Sequence, residues 1–102
     1  MTKDQLINLA THVATAKTKA KEAADAVDDG GTANLDTLVI YLPRTREKSL
    51  IDAGIEGYRL RGGWALRGFH HGQGQKQTAG VRAGAEYLRQ HGYDATVWYQ
   101  MD

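Results

Sequence analysis

Residues 62–78 read GGWALRGFHHGQGQKQT and contain the most distinctive features of the chain. It holds a glycine pair, one of the two tryptophans, an adjacent histidine pair and a lysine shortly before a predicted helix start. Glycine at this density lets the backbone approach a ligand closely, and a helix start offers unpaired N–H groups to an anion. The same glycines are typical of a hairpin followed by a loop, so both interpretations stay open.

The composition is that of one small domain over residues 1–102, large enough to bury a single core. Hydrophobic residues make up 41% of the chain, and there is no cysteine, which excludes disulfides, thiolate metal sites and a cysteine nucleophile. The first residues are polar and periodic, so we expect no signal peptide and no membrane span. We expect a cytoplasmic protein of a bacterial or phage-infected cell.

The net charge of +1 conceals a segregation along the chain. Residues 1–43 carry four lysines against six acids, whereas residues 44–91 carry nine basic residues against four acids and include every arginine. Clustered arginine favours phosphate or carboxylate recognition, because the guanidinium is a flat fork of donors. The alternative is a solvated basic face.

Residues 3–28 have the periodicity of one long helix, with Thr2 and Gln5 as a capping box and a glycine pair at 30–31 as its end. Its apolar residues follow regular heptad spacing, and we call them the heptad stripe: Leu6, Leu9, Val13, Ala16, Ala20, Ala23 and Val27. Such a stripe packs on the sheet of its own chain or meets a partner. The second alternative predicts a homodimer, because the spacing persists where the side chains are small.

The middle of the chain predicts a strand and a short helix. Residues 34–42 place apolar side chains on both faces, which is typical of a central strand, and Pro43 ends it. Residues 45–53 predict a short helix with Leu50 and Ile51 directed inward.

The C-terminal third predicts a helix and a strand. Thr78 is a suitable N-cap for a helix over residues 79–91, and Gly80 and Gly84 would bring its backbone close to the sheet. Its inward residues are Val81, Ala85 and Leu88. Residues 94–101 are rich in β-formers and predict the last strand.

Residues 57–69 predict a hairpin whose register depends on its turn. A two-residue turn at 62–63 would mix charged and apolar side chains on both faces. A three-residue turn at 61–63 pairs apolar residues on the core face, Leu60 with Trp64 and Tyr58 with Leu66. Arg59 and Arg67 then point outward together, so we predict the three-residue turn.

The predicted order is α-β-α-β-β-α-β, an α+β fold with about four strands in a mixed sheet. It comprises a long N-terminal helix over residues 1–31 and an α/β body over residues 34–102. The last strand–helix–strand step is long enough for a right-handed crossover, which predicts a C-terminal βαβ unit of parallel strands.

Residues 72–78 combine the parts of an anion site. Gly72 and Gly74 free backbone N–H groups, Lys76 supplies a cation, and Thr78 supplies a hydroxyl at a helix start. The lysine and threonine are not adjacent, so this is not a Walker A loop, and the glycine spacing is not a dinucleotide fingerprint.

The segment GQGQKQTAGVRAGAEYL, residues 72–88, resembles the last loop and helix of double-stranded-RNA-binding domains. In that family a glycine-bearing loop leads into a basic helix start and an alanine-rich helix. The resemblance covers about seventeen residues, lacks the family's run of consecutive lysines, and is followed here by another strand. It implies a phosphate-facing helix start at Lys76 and its loop.

The adjacent histidines, His70 and His71, do not predict a metal site. Neighbouring residues of an extended segment point opposite ways, and no acid or further histidine lies at ligand spacing. We therefore expect no metal and no cofactor. The acids are scattered and the single serine, Ser49, lies in no motif, which favours a binding protein over an enzyme.

Two functions remain open. The first is a small non-enzymatic module for an anionic ligand, in the first place nucleic acid. Its ligand-binding residues would be Arg59, Arg67, His70, His71, Gly72, Gly74, Lys76 and Thr78. The alternative is a protein-binding module, similar in style to phage-encoded anti-defence (anti-CRISPR-type) inhibitors that block a nucleoprotein complex. Phosphate binding weakens steeply with salt and a protein contact need not, so salt dependence separates the two.

Overall fold

The computed structural model describes residues 1–28, 35–72 and 74–99. Its elements in chain order are α1 (Lys3–Asp25), β1 (Thr37–Tyr41), α2 (Glu47–Asp52), β2 (Gly57–Leu60), β3 (Gly63–Leu66), α3 (Gln75–Gln90) and β4 (Asp94–Trp98). The predicted element order and the α+β class are confirmed. The predicted boundary between residues 31 and 34, and the end of the last strand beyond residue 99, lie outside the described residues. In the described part, no helix has the length and apolar character to cross a bilayer.

The four strands form one sheet in the order β2-β3-β1-β4, and every neighbouring pair is antiparallel. The prediction of a mixed sheet is therefore wrong. β3 and β4 do run in the same direction, as the predicted crossover requires, but β1 lies between them. The reason is that β1 is apolar on both faces: Leu38, Val39 and Ile40 are all buried, and the centre of the sheet is where such a strand is covered on both sides.

The predicted hairpin register is also wrong. Tyr58 lies opposite Ala65 and Arg59 opposite Trp64, because the turn has two residues, Arg61 and Gly62. Both turn residues have positive φ, 49° and 82°, as a type I′ turn requires, and its twist matches that of the paired strands. Trp64 is buried as expected, but the new pairing moves Tyr58 to the opposite face of the sheet.

α1 and α3 pack against each other and against one face of the sheet. The buried cluster draws on all three helices, on three strands and on two residues outside them, Ile55 and Phe69: Leu9, Val13, Ala16, Ala20, Leu38, Ile40, Leu50, Ile55, Trp64, Leu66, Phe69, Val81, Ala85, Leu88 and Ala95. Trp64 completes it by donating from Nε1 to the carbonyl oxygen of Ile55 at 3.1 Å. One layer of helices on one side of a sheet is the two-layer arrangement expected for an α+β domain.

The heptad stripe packs within its own chain. Its central residues, from Leu9 to Ala20, are buried between α1 and the rest of the core. Towards the C-terminus the buried position moves from Ala23 to Ala24, because an α-helix has 3.6 residues per turn and drifts from a strict 3.5 repeat. The capping box of Thr2 and Gln5 is present at the start, as predicted. A second copy could reach the stripe only if α1 separated from α3.

Three helix details differ from the prediction. α1 ends at Asp25, three residues before the predicted end at residue 28. In α2, Leu50 is buried but Ile51 is 50% exposed, because a six-residue helix presents one turn to the core and Ile55 fills the neighbouring position. α3 begins at Gln75, four residues before the predicted start at residue 79, so Thr78 lies within its first turn. The predicted close approach of α3 to the sheet is confirmed at Gly84, where a Cβ would lie 3.1 Å from Cδ2 of Leu38 in β1, but Gly80 lies against His71 and the carbonyl oxygen of Ala20 in α1.

Candidate nucleic-acid interface

The predicted anion site at the start of α3 is tied to the protein itself. Lys76 donates from Nζ to the carbonyl oxygen of Ala24 at 2.9 Å, and Thr78 donates from Oγ1 to Oδ2 of Asp36 at 2.8 Å. Lys76 therefore binds the C-terminal end of α1, and Thr78 links α3 to Asp36, the residue before β1. Both side chains are engaged in holding the first turn of α3 in place.

Gln77 fixes the same turn, and sequence reasoning missed it. Its Nε2 donates to the carbonyl oxygens of Asp36 at 2.9 Å and Phe69 at 3.0 Å, while Oε1 accepts from the backbone N–H of His71 at 2.9 Å. The side chain is only 5% exposed. Its neighbours in sequence are polar residues of a predicted loop, so no periodicity marked it as buried. The loop is thus held by a side-chain amide whose donors and acceptor are used inside the fold.

The two histidines have different environments. His70 is exposed, whereas His71 is partly buried, its Cδ2 lying 2.6 Å from where a Cβ at Gly80 would be. Burial lowers the pKa of His71 below its usual value, and the nearby His70 contributes in the same direction. The Nε2 atom of His71 is buried and makes no hydrogen bond to any described residue. No group of three or more histidines and acids in the described ranges could hold a metal ion.

The two hairpin arginines are separated by the sheet. Arg59 lies on the side of the helices, where Nη2 donates to the carbonyl oxygen of Thr45 at 3.1 Å and Cζ lies 6.0 Å from the Trp64 ring. Arg67 lies on the other side, with Cζ 5.3 Å from the ring of Tyr58. The predicted common outward surface of Arg59 and Arg67 is therefore absent, because the two-residue turn places them on opposite faces.

The side of the sheet away from α1 and α3 carries an unpredicted set of side chains. Residues that pair directly across antiparallel strands share a face, so the strand registers define this side. We call it the open face, and its residues are Thr37, Val39, Tyr41, Tyr58, Leu60, Gly63, Ala65, Arg67, Asp94, Thr96 and Trp98. None of the described helices packs on it.

Arginine and aromatic side chains lie close together on the open face. Arg61, at the hairpin turn, places Cζ 4.4 Å from the ring centroid of Trp98, which is in the opposite edge strand. The sheet beneath is covered so fully that Val39 and Ala65 are 1% and 0% exposed. Tyr41 lies over Gly63, where a Cβ would be 2.9 Å from Cε1 of that ring.

Arg61 and Arg67, the arginines of the open face, form no ion pair with an acid in the described part of the chain. The ion pairs found there, Lys21 with Asp25 and Lys48 with Asp52, both join neighbouring turns of a helix. The acids at the edges of the open face are Asp94 in β4 and Glu56 before β2. A guanidinium stacked on a ring uses its flat face, so its N–H edges stay directed outward. The open face thus combines aromatic rings with two arginines that form no ion pair among the described residues, beside two acids at its edges.

No family model, no curated protein and no solved structure matches this chain. A functional assignment therefore depends on the chemistry of the open face and of the loop beside it.

Proposed function

We propose that the chain binds single-stranded nucleic acid on its open face. The observation that carries the proposal is the pair of arginine–aromatic contacts on that face, Arg61 with Trp98 and Arg67 with Tyr58. In this proposal the rings provide stacking surfaces for bases, and the guanidinium edges provide donors for phosphate oxygens. The anionic-ligand function expected from the sequence is kept, but its surface moves from the helix start to the sheet.

The stacking groups favour single strands over duplexes. Bases in a duplex are already stacked and present only their edges, whereas unpaired bases can lie on an aromatic side chain or a guanidinium plane. Each such base–aromatic contact contributes about 1–3 kcal/mol to binding. Lys76, the residue that the likeness to duplex-RNA-binding domains implied as a phosphate ligand, is engaged with Ala24. That contact weakens the case for a duplex phosphate at the start of α3.

The electrostatics support a phosphate ligand more than an apolar protein surface. Arg61 and Arg67 are both exposed, and their positive charge is not neutralised by an ion pair among the described residues. Counterion release from a nucleic-acid strand makes such contacts favourable at low salt and weakens them steeply as salt rises. A protein-binding surface would show a smaller salt dependence.

The test is a fluorescence titration with labelled single-stranded DNA and RNA, and with the duplex of the same sequence, at two salt concentrations. We expect the parent chain to prefer the single strands. Arg61→Ala should weaken binding to every single strand and reduce the dependence of log K on log salt by about 1. Arg82→Ala is the matched control, because Arg82 is an exposed arginine of α3, away from the open face.

Two results would contradict the proposal. One is an equal loss of affinity in Arg61→Ala and Arg82→Ala, which would indicate nonspecific attraction to a basic protein. The other is no binding by the parent at low salt, which would leave the protein-binding alternative. Trp98→Leu separates stacking from charge, because it removes the ring without changing the net charge and should still weaken single-strand binding.

A further inference from the structure

A cavity of about 390 Å³ opens at the end of the sheet where β1 and β3 part. The two strands pair at Val39 with Ala65 and at Ile40 with Trp64, and the cavity lies beyond these pairs. The chain leaves the sheet at Gly68, whose φ of 89° suits glycine. We call this space the β1–β3 cavity.

Gly68 explains why the chain after β3 separates from β1. A Cβ at this position would lie 2.7 Å from Cε of Lys17, so the backbone passes against the Lys17 side chain of α1. Phe69 then enters the core, where it is 3% exposed. The chain after β3 therefore crosses to the helix layer and leaves the first residues of β1 without a neighbouring strand on that side.

The β1–β3 cavity has an apolar floor and a rim of aromatic and basic groups. The floor includes the buried side chains of Leu38, Leu66 and Val81. The rim includes Tyr58, Arg67 and His70, all of which are exposed. Tyr58 and Arg67 also form one of the two arginine–aromatic pairs of the open face, so the cavity and the face are continuous.

The acid among the described lining residues is directed towards α3. Asp36 is 5% exposed, and its Oδ2 accepts the hydrogen bond of Thr78. Its backbone carbonyl accepts from Gln77. The exposed part of the rim therefore carries the positive and polar groups, while the carboxylate is held inside the protein.

We infer that the β1–β3 cavity receives one unstacked nucleobase of the strand bound to the open face, with the adjoining phosphates at Arg67 and His70. This inference rests on the proposed function. The volume lies near the lower end of the range for small-molecule sites, about 300–1,000 Å³, and so suits a single flat ring system. An apolar floor favours the base, and the guanidinium and imidazole N–H groups at the rim favour the phosphates. Tyr58 provides a ring for stacking at the mouth.

Methyl NMR spectroscopy tests the inference directly. The probe is a short single-stranded oligonucleotide of mixed sequence, titrated into the full chain with labelled leucine and valine methyl groups. We expect ring-current shifts at Leu66 and Val81, which line the β1–β3 cavity, and none at Val13, which is buried elsewhere in the core. In a series of probes that each carry one abasic position, the shifts should disappear for the probe whose missing base is the one that enters the cavity.

His70→Ala provides the matching affinity measurement. We expect a loss of roughly three- to tenfold in single-strand affinity, the size of one hydrogen bond to phosphate. His91→Ala, which removes another exposed histidine away from the cavity, should leave the affinity unchanged. Oligonucleotide binding without shifts at Leu66 and Val81 would overturn the cavity inference and leave the proposed function standing. No oligonucleotide binding at low salt would overturn both.

Discussion

Lys76 donates a hydrogen bond of 2.9 Å to the carbonyl oxygen of Ala24, 52 residues earlier in the chain. Ala24 lies in the last turn of α1, where its carbonyl oxygen also accepts from the backbone N–H of Val27 at 3.3 Å and the helix dipole is negative. That turn contains no basic residue of its own. The cation that the sequence placed before an anion site therefore stabilises the end of another helix.

Replacing Lys76 by methionine should lower the free energy of unfolding by about 0.5–1.5 kcal/mol, the net value of one hydrogen bond. Urea denaturation measures this change. Lys48→Met is the control, because Lys48 is exposed on α2 and its ion pair, with Asp52, lies within the same helix. An equal effect of the two substitutions would show that the contact with Ala24 contributes nothing.

Gln77→Leu should destabilise the protein by roughly 2–4 kcal/mol. The substitution leaves the carbonyl oxygens of Asp36 and Phe69 and the N–H of His71 without the side chain that bonds them, and each buried unpaired group costs about 1–3 kcal/mol. The three costs should not add in full, because the loop can relax and expose these backbone groups to water. Gln90→Leu, at an exposed position of α3, should change the stability little in the same denaturation experiment.

Stability should fall as the pH drops below about 6.5, the pKa of histidine in an unfolded chain. Because burial lowers the pKa of His71 in the folded protein, the unfolded chain takes up this proton first. The stability contributed by neutral His71 is fully present above pH 6.5. It is lost as the pH falls through the lower pKa that His71 has in the folded protein. In thermal denaturation across this range His71→Leu should flatten the pH dependence, whereas His70→Ala should retain most of it. Asp25, whose pKa is lowered by Lys21, acts in a separate window below about pH 4.

Gly84→Ala should destabilise the protein by about 1 kcal/mol even though alanine is the better helix former. The added Cβ would lie 2.8 Å from Cε1 of Phe69 and 3.1 Å from Cδ2 of Leu38, and both side chains are buried. Overpacking costs about 1–3 kcal/mol, against a gain of about 1 kcal/mol in helix propensity. The loss should shrink in a Phe69→Leu background, measured by a double-mutant cycle. A purely additive result would exclude the contact as the cause.

The chain should be a monomer of 11.2 kDa in light scattering up to high micromolar concentration. The reason is that the heptad stripe, which would form the alternative homodimer, is packed within its own chain from Leu9 to Ala20. A doubled mass would show that another surface associates. Repeating the measurement with Tyr58→Ser and with Ile7→Ser would then distinguish the open face from the outer side of α1, since both residues are exposed.

Local chemistry was sufficient to predict the elements and many of their ends. The capping box at Thr2, the inward residues of α3 and the central position of β1 all follow from spacing within a few residues. The glycine-rich stretch of residues 62–78 supplies Arg67 and His70 to the lining of the β1–β3 cavity, whereas the prediction placed the anion site at the start of α3. Periodicity reports such features because a helix or strand repeats its faces at a fixed interval.

The tertiary structure decided which face is which and what each polar group contacts. A period of two shows that Tyr58 and Leu60 share a face, but the turn at Arg61 and Gly62 decided that this face is the open one. Lys76 and Gln77 looked like loop residues because their partners, Ala24 and Asp36, are distant in sequence. Arg61 is in the β2–β3 turn and Trp98 is in β4. They come into contact only because the sheet places both side chains over the same face. Sequence spacing encodes the local repeat of the backbone, whereas contacts between distant residues exist only after the chain has packed.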